Sequence, residues 1–159
     1  MGVSGSGKSV IGAGFAHALG VAFVDGDCYH TTDNVRRMAA GIALTDEDRL
    51  QWLLVLAARV QEAEQSGTGL VLACSALKRS YRDILRAGSP DLHFIFLRGP
   101  RPLLAERLAA RLGHFMPPSL LDSQLATLEE PAAEEQAWVC NIGETPDRIV
   151  AALIARAAK

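Results

Sequence analysis

Gly2-Val3-Ser4-Gly5-Ser6-Gly7-Lys8-Ser9 opens the chain and decides how the rest of it is read. The octet fits the pattern G-x-x-x-x-G-K-[ST]. Glycines let the backbone curl until successive N–H groups point inward at one anion. The helix predicted from Lys8 adds the positive end of its dipole. In such a loop the lysine neutralises the outer phosphates and the serine hydroxyl reaches Mg²⁺. The octet therefore predicts a nucleoside triphosphate held by Ser4, Gly5, Ser6, Gly7, Lys8, Ser9 and Val10, with Lys8 also acting in transfer. The competing reading, a flexible Gly/Ser stretch, sits poorly with the amphipathic helix that follows. The motif does not name the acceptor.

Outward from the loop, short apolar runs alternate with longer helical patterns. Strands are predicted at 21–24, 70–74, 94–97 and 138–142. Each is continuously apolar, as parallel strands buried on both faces are. Helices are predicted at 8–19, stopping at Gly20; at 46–66, capped by Thr45 and stopping at Gly67; at 100–112, stopping at Gly113; and at 145–158, opening Thr145-Pro146. This alternation implies right-handed crossovers and a three-layer α/β fold around a parallel sheet. Such sheets bind ligands beyond the carboxyl ends of their strands.

Composition narrows the function classes. The 159 residues fit one domain, 49% hydrophobic and 21% charged. A net charge of −2 gives no field that would favour nucleic acid. No apolar run reaches membrane-spanning length, and no secretory signal is visible. Three cysteines without metal-ligand spacing fit a reducing, cytoplasmic setting.

The predicted strand at 21–24 runs into Asp25-Gly26-Asp27. Two acids one apart at a strand end form a turn in many proteins. Beside a phosphate loop they take other work. Strand alternation points both the same way. Asp27 is assigned to the acceptor hydroxyl, as base or orienting group, and Asp25 to the outer shell of Mg²⁺, with the reverse assignment open. His30 follows, as a substrate contact or a structural histidine.

From here the chain resembles a known family. The Gly2–Ser9 loop, Asp25-Gly26-Asp27 with His30, Asn34 and Met38-Ala39-Ala40-Gly41 look like the gluconokinases. So do Leu44-Thr45-Asp46-Glu47-Asp48-Arg49, Trp52-Leu53, Cys74-Ser75-Ala76-Leu77-Lys78, Tyr81-Arg82-Asp83 and Leu97-Arg98-Gly99. The likeness ends with Arg111-Leu112-Gly113-His114-Phe115-Met116, Ser123-Gln124 and Leu128-Glu129-Glu130-Pro131, and spans nearly the whole chain. It implies a P-loop kinase fold similar to shikimate and nucleoside monophosphate kinases. It also implies a lid at about 112–128, a homodimer, and ATP-dependent phosphorylation of D-gluconate at its 6-hydroxyl. Two departures stand out. Val10 takes the place of a usual threonine. The family also has an apolar strand ahead of the loop, where this chain has Met1 alone. The expectation is that the natural chain begins several residues earlier, since a sheet lacking that strand would lose ladder hydrogen bonds at its middle.

Gluconate needs a cation for its carboxylate and hydrogen bonds for its hydroxyls. Arg49, early in the 46–66 helix, is a candidate for the first, although three neighbouring acids could also hold it on the surface. Lys78 and Arg82 share a helix face after the 70–74 strand and are further candidates, with Ser75 and the backbone at Ala76. Arg107 and Arg111, also four apart, suit a lid that stabilises the transferring phosphoryl group. His114 and Gln124 are placed on the acceptor from the lid and its return helix at 120–128. Ser119 is the expected cap of that helix. Glu129, Glu130, Glu134 and Glu135 read as solvated, and Trp52 as core or interface. The rivals are another small-metabolite kinase, such as a shikimate kinase, and a nucleotide-binding protein inactive because of its short start.

Overall fold

The computed structural model of the protein describes residues 1–110 and 120–158. Helix α1 (Lys8–Leu19) starts where Gly7 turns left-handed at φ 88° and stops where Gly20 does so at φ 71°. Strand β1 (Ala22–Asp25) leads into a 3₁₀ turn at Gly26–Tyr29 and then α2 (Thr32–Ala39). Helix α3 (Asp46–Ser66) is opened by a capping box. The Thr45 hydroxyl accepts from the Asp48 amide, and the Asp48 carboxylate accepts from the Thr45 amide at 2.8 Å. Strand β2 (Leu70–Ala73), α4 (Arg79–Arg86), β3 (Ile95–Arg98) and α5 (Arg101–Ala109) follow. After them come α6 (Leu120–Thr127), β4 (Trp138–Asn141) and α7 (Pro146–Ala157), the last capped by Thr145 with proline at its first position.

All pairing between strands is parallel, β1 on β2 from Ala22↔Leu70 and β3 on β4 from Ile95↔Trp138. The two pairs are joined through the start of the chain. The Met1 amine donates to the Ile95 carbonyl, the Leu97 amide donates to the Met1 carbonyl at 3.0 Å, and the Gly2 amide donates to the Ser75 carbonyl at 3.1 Å. The order across the molecule is β1-β2-(Met1, Gly2)-β3-β4. Among the described residues the strands form two two-stranded ladders, joined through Met1 and Gly2. Helices cover them, α1 packing on β1, β2 and α7, and α3 on β2 and α4. Leu53, Leu56, Phe96, Leu104 and Leu153 are fully buried between these layers.

Strand boundaries fall within a residue or so of the predicted runs. One prediction fails in kind. Asp27 is not part of a strand but of the 3₁₀ turn, where its own amide is capped by the Asp25 carboxylate. Strand alternation therefore does not set its direction. The turn is forced by close approach, since a Cβ on Gly26 would lie 2.7 Å from the Ala73 carbonyl oxygen. Helix α2 was not predicted, although Val35, Met38 and Ala39 recur in it at helical spacing. The expected Ser119 cap lies outside the described residues.

Candidate active site

The phosphate loop curls as its glycines require. Gly5 and Gly7 are left-handed, at φ 82° and 88°, and Gly5 also lies so near α5 that a Cβ would meet the Leu104 carbonyl at 2.9 Å. Lys8 folds back, its Nζ donating to the Val3 carbonyl at 3.1 Å. The Ser9 hydroxyl donates to Asp25 Oδ2 at 2.6 Å, while Asp25 Oδ1 accepts the Asp27 amide at 3.1 Å. Ser9 and Asp25 together present hard oxygen donors at the mouth of the loop, the kind Mg²⁺ prefers alongside phosphate oxygens. Ser6 is buried, and its hydroxyl has no partner among the described residues. These features fit a Mg²⁺-nucleotide, with Ser9 and Asp25 to hold the ion. Val10, at the same loop, is exposed.

The other side of the site hangs from α3. Arg49 and Trp52 are three residues apart and share its inward face. The Trp52 Nε1–H donates to the Gly26 carbonyl at 2.7 Å and so fixes the turn that carries Asp27. His30 stacks on Trp52 with ring centroids 4.2 Å apart and planes at 16°. Burial, aided by the Arg49 charge and opposed by Asp27, pulls the His30 imidazole down to about 4. It is therefore neutral at pH 7, and its buried Nδ1 has no partner among the described residues. Arg49 is buried, donating to the Leu44 carbonyl at 3.4 Å. It lines a cavity of about 90 Å³ with Met38, Leu44, Leu120, Ser123 and Gln124. Gln124 Oε1 in turn accepts the Ser4 amide at 2.7 Å. The site thus closes on itself: loop to Gln124, to Arg49, to His30 and Asp27, to Asp25, and back to the loop through Ser9.

Similarity to known proteins agrees with this geometry. The family model for shikimate kinase matches residues 4–157. The chain is 49% identical to the thermosensitive gluconokinase of Escherichia coli over 141 residues, 86% of this chain and 73% of that protein. It is 43% identical to the thermoresistant gluconokinase of the same organism, over 97% of this chain and 89% of that one. The chain belongs to the gluconokinase family. A crystal structure of a sugar kinase from a Janibacter species superposes at TM-score 0.93 with 43% identity, covering 98% of this chain and 90% of that one.

As a gluconokinase-family kinase the chain has a P-loop α/β fold, and its remaining predicted residues can be placed in that frame. Lys78 caps α4 and bonds both Asp46 oxygens, at 2.7 and 2.8 Å; Tyr81 donates to the same carboxylate. Lys78 and Arg49 both lie over the Tyr81 ring, at 5.7 and 5.9 Å from its centroid. Asp46 is held below its usual range by Lys78 and Tyr81, and the Tyr81 hydroxyl is raised well above its own by burial and by Asp46. Ser75 is half-buried at the end of β2, followed by Ala76 in a left-handed conformation at φ 44°. That strain at a strand end is typical of functional sites.

Arg82 is a correction. It is fully buried, and its guanidinium makes a fork to Glu135 at 2.6 and 2.7 Å. Its remaining nitrogen donates to the carbonyls of Ala76 at 3.2 Å and Glu129 at 3.0 Å. Those donors are spent on structure rather than on a ligand. Glu135, read as solvated, is its buried partner, held down to about 2 by Arg82. The sequence carries no local sign of a contact between residues 53 apart. Arg107, half-buried on α5, donates to the Ile142 carbonyl at 2.8 Å past the end of β4. Arg111, His114 and the first part of the expected lid lie outside the described residues. Trp52, Tyr81 and Asp46, which sequence reasoning leaves out of the candidate site, contact its members His30 and Lys78; the spacing of Asp46, Arg49 and Trp52 on one helix is the available signal.

Proposed function

We propose that the protein phosphorylates D-gluconate at its 6-hydroxyl with ATP, giving 6-phosphogluconate and ADP. The hydrogen-bonded run Ser9–Asp25–Asp27, with neutral His30 and buried Arg49 beside it, carries this reading. Mg²⁺, when bound, neutralises charge on the β- and γ-phosphates. Ser4 to Val10 hold the triphosphate, Lys8 leaving Val3 for the outer phosphates. Asp27 accepts the proton of the 6-hydroxyl as its oxygen bonds to the γ-phosphorus and the bond to the β,γ-bridging oxygen breaks. His30 and Gln124 take gluconate hydroxyls, with Ser75 at the end of β2. Arg49 and Lys78 take the carboxylate, which displaces Asp46 from Lys78. Arg107, with Arg111 and His114 from the stretch after α5, closes over the reactants and excludes water.

The proposal extends to one kinase domain that pairs as a homodimer in the cytoplasm. The three free cysteines suit a reducing compartment, and the exposed Leu50 and Leu54, one turn apart on α3, suit a covered face. No helix among the described residues is long and apolar enough to cross a membrane. The test is ATP turnover measured with a panel of acceptors. Fast ADP release with gluconate, little with shikimate and little with water is expected. Turnover equally fast without any acceptor would defeat the reading.

A further inference from the structure

One of the chain's own carboxylates takes the donors assigned above to the acceptor. Lys78 Nζ donates to both oxygens of Asp46, at 2.7 and 2.8 Å, and the Tyr81 hydroxyl donates to Oδ1. Arg49, three residues on along α3, adds its charge to the attraction. Lys78 and Tyr81 hold Asp46 below the usual carboxylate range, so it is charged at neutral pH. The start of α3 does not depend on it. Asp48 forms the capping box, and Asp48 with Glu47 sets negative charge against the helix dipole. Asp46 reaches instead to the start of α4, just beyond the end of β2. Its side chain is 64% exposed and that of Lys78 28%, so the pair opens without unpacking the core. Ion pairs this open to water are weak.

We propose that Asp46 is an internal competitor for the acceptor's carboxylate: it occupies Lys78 and Tyr81 in the empty site, weakens the hold on gluconate, and reclaims both donors as the product leaves. The inference rests on the reading above that gluconate binds through its carboxylate. An entering carboxylate exchanges one charge-assisted set of bonds for another. Most of their strength cancels, and only the difference appears as affinity. A hydroxyl makes a weaker bond to an ammonium group than a carboxylate does, so a neutral sugar leaves Asp46 in place. Phosphoryl transfer at the 6-hydroxyl leaves the acceptor's carboxylate unchanged, and the same exchange run backwards shortens the stay of the product. Asp46 acts through Lys78 and Tyr81 and touches no reacting atom, so it sets affinity rather than chemistry.

The test compares the full chain with Asp46→Asn and with Glu47→Gln, which removes the same charge from an exposed position one residue along α3. Gluconate binding is read by calorimetry, KM and kcat by steady-state turnover, and release of 6-phosphogluconate by stopped flow. Asp46→Asn is expected to tighten gluconate about three- to tenfold and to lower KM by a similar factor. Product release should slow, and kcat should not rise. Asp46→Ser should behave alike, so the result does not hang on one replacement. Glu47→Gln should move these values by less than about twofold, since its charge is screened by solvent. Weaker or unchanged binding in both Asp46 variants overturns the proposal. Equal tightening in Glu47→Gln assigns the effect to general charge and also overturns it. A parent that neither binds nor phosphorylates gluconate defeats the function proposed above and this inference with it. A parent that phosphorylates gluconate with a KM unmoved by Asp46→Asn defeats this inference alone.

Discussion

Asp27 owes its place to three neighbours rather than to its own strand. Asp25 caps its amide, Trp52 holds the carbonyl before it, and Gly26 lets the turn pass close to β2. Asp27→Asn keeps that scaffold and removes the proton acceptor. We expect kcat to fall by about 10²–10⁴ with ATP binding little changed, measured by steady-state turnover and nucleotide titration. Near-normal kcat would remove Asp27 from the chemistry. Arg82 answers a different test. Arg82→Met strands a buried Glu135 carboxylate and should cost about 3–5 kcal/mol in urea unfolding, whereas Arg82→Met with Glu135→Leu should recover most of it. A double variant as unstable as the single one would contradict the strut.

Helix ends are the most legible elements, because their chemistry is local. Thr45 with Asp48, and Thr145 with Pro146, are visible within four residues, and the structure caps both helices there. Thr45→Ala should therefore lower stability by about 1 kcal/mol, read as a shift of the urea midpoint without a change in slope. No shift would mean that packing alone holds the start of α3. The turn at Asp27 and the burial of Glu135 are missed from sequence for the opposite reason, since their surroundings arrive from elsewhere in the chain. α2 is short and mostly polar, so its three apolar residues carry little weight in sequence, and tertiary contacts fix it: Asn34 donates to the Asp48 carbonyl at 2.8 Å, and Met38 packs with Leu44 and Leu120. The acceptor side of the site is half legible. Arg49, His30 and Gln124 stand out in the sequence, but the Trp52 floor beneath His30 reads there as core.

For the molecule as a whole, two side chains, half-buried His30 and buried Glu135, contribute to the response to acid. His30 is neutral when folded, with its value lowered to about 4, so the unfolded chain binds the proton first. Its stabilising effect is complete above about pH 6.5 and drains away down to about pH 4. Glu135, depressed to about 2, is charged when folded, and its contribution is present above about pH 4.5 and lost towards pH 2. Stability should therefore fall in two stages below neutrality. His30→Phe should flatten the upper stage and leave the lower one, as followed by urea midpoints across pH. A variant whose upper slope matches the parent would rule out His30 as its source.

The stack of His30 on Trp52 has an optical consequence. The chain has two tryptophans, and Trp138 lies apart on β4 beside His93 and Arg156. Indole emission reports the polarity and the charge of what touches the ring. Any acceptor that reaches His30 therefore changes the light from Trp52 while leaving that from Trp138 as a constant background. The protein carries its own dye at the place where its acceptor is proposed to sit.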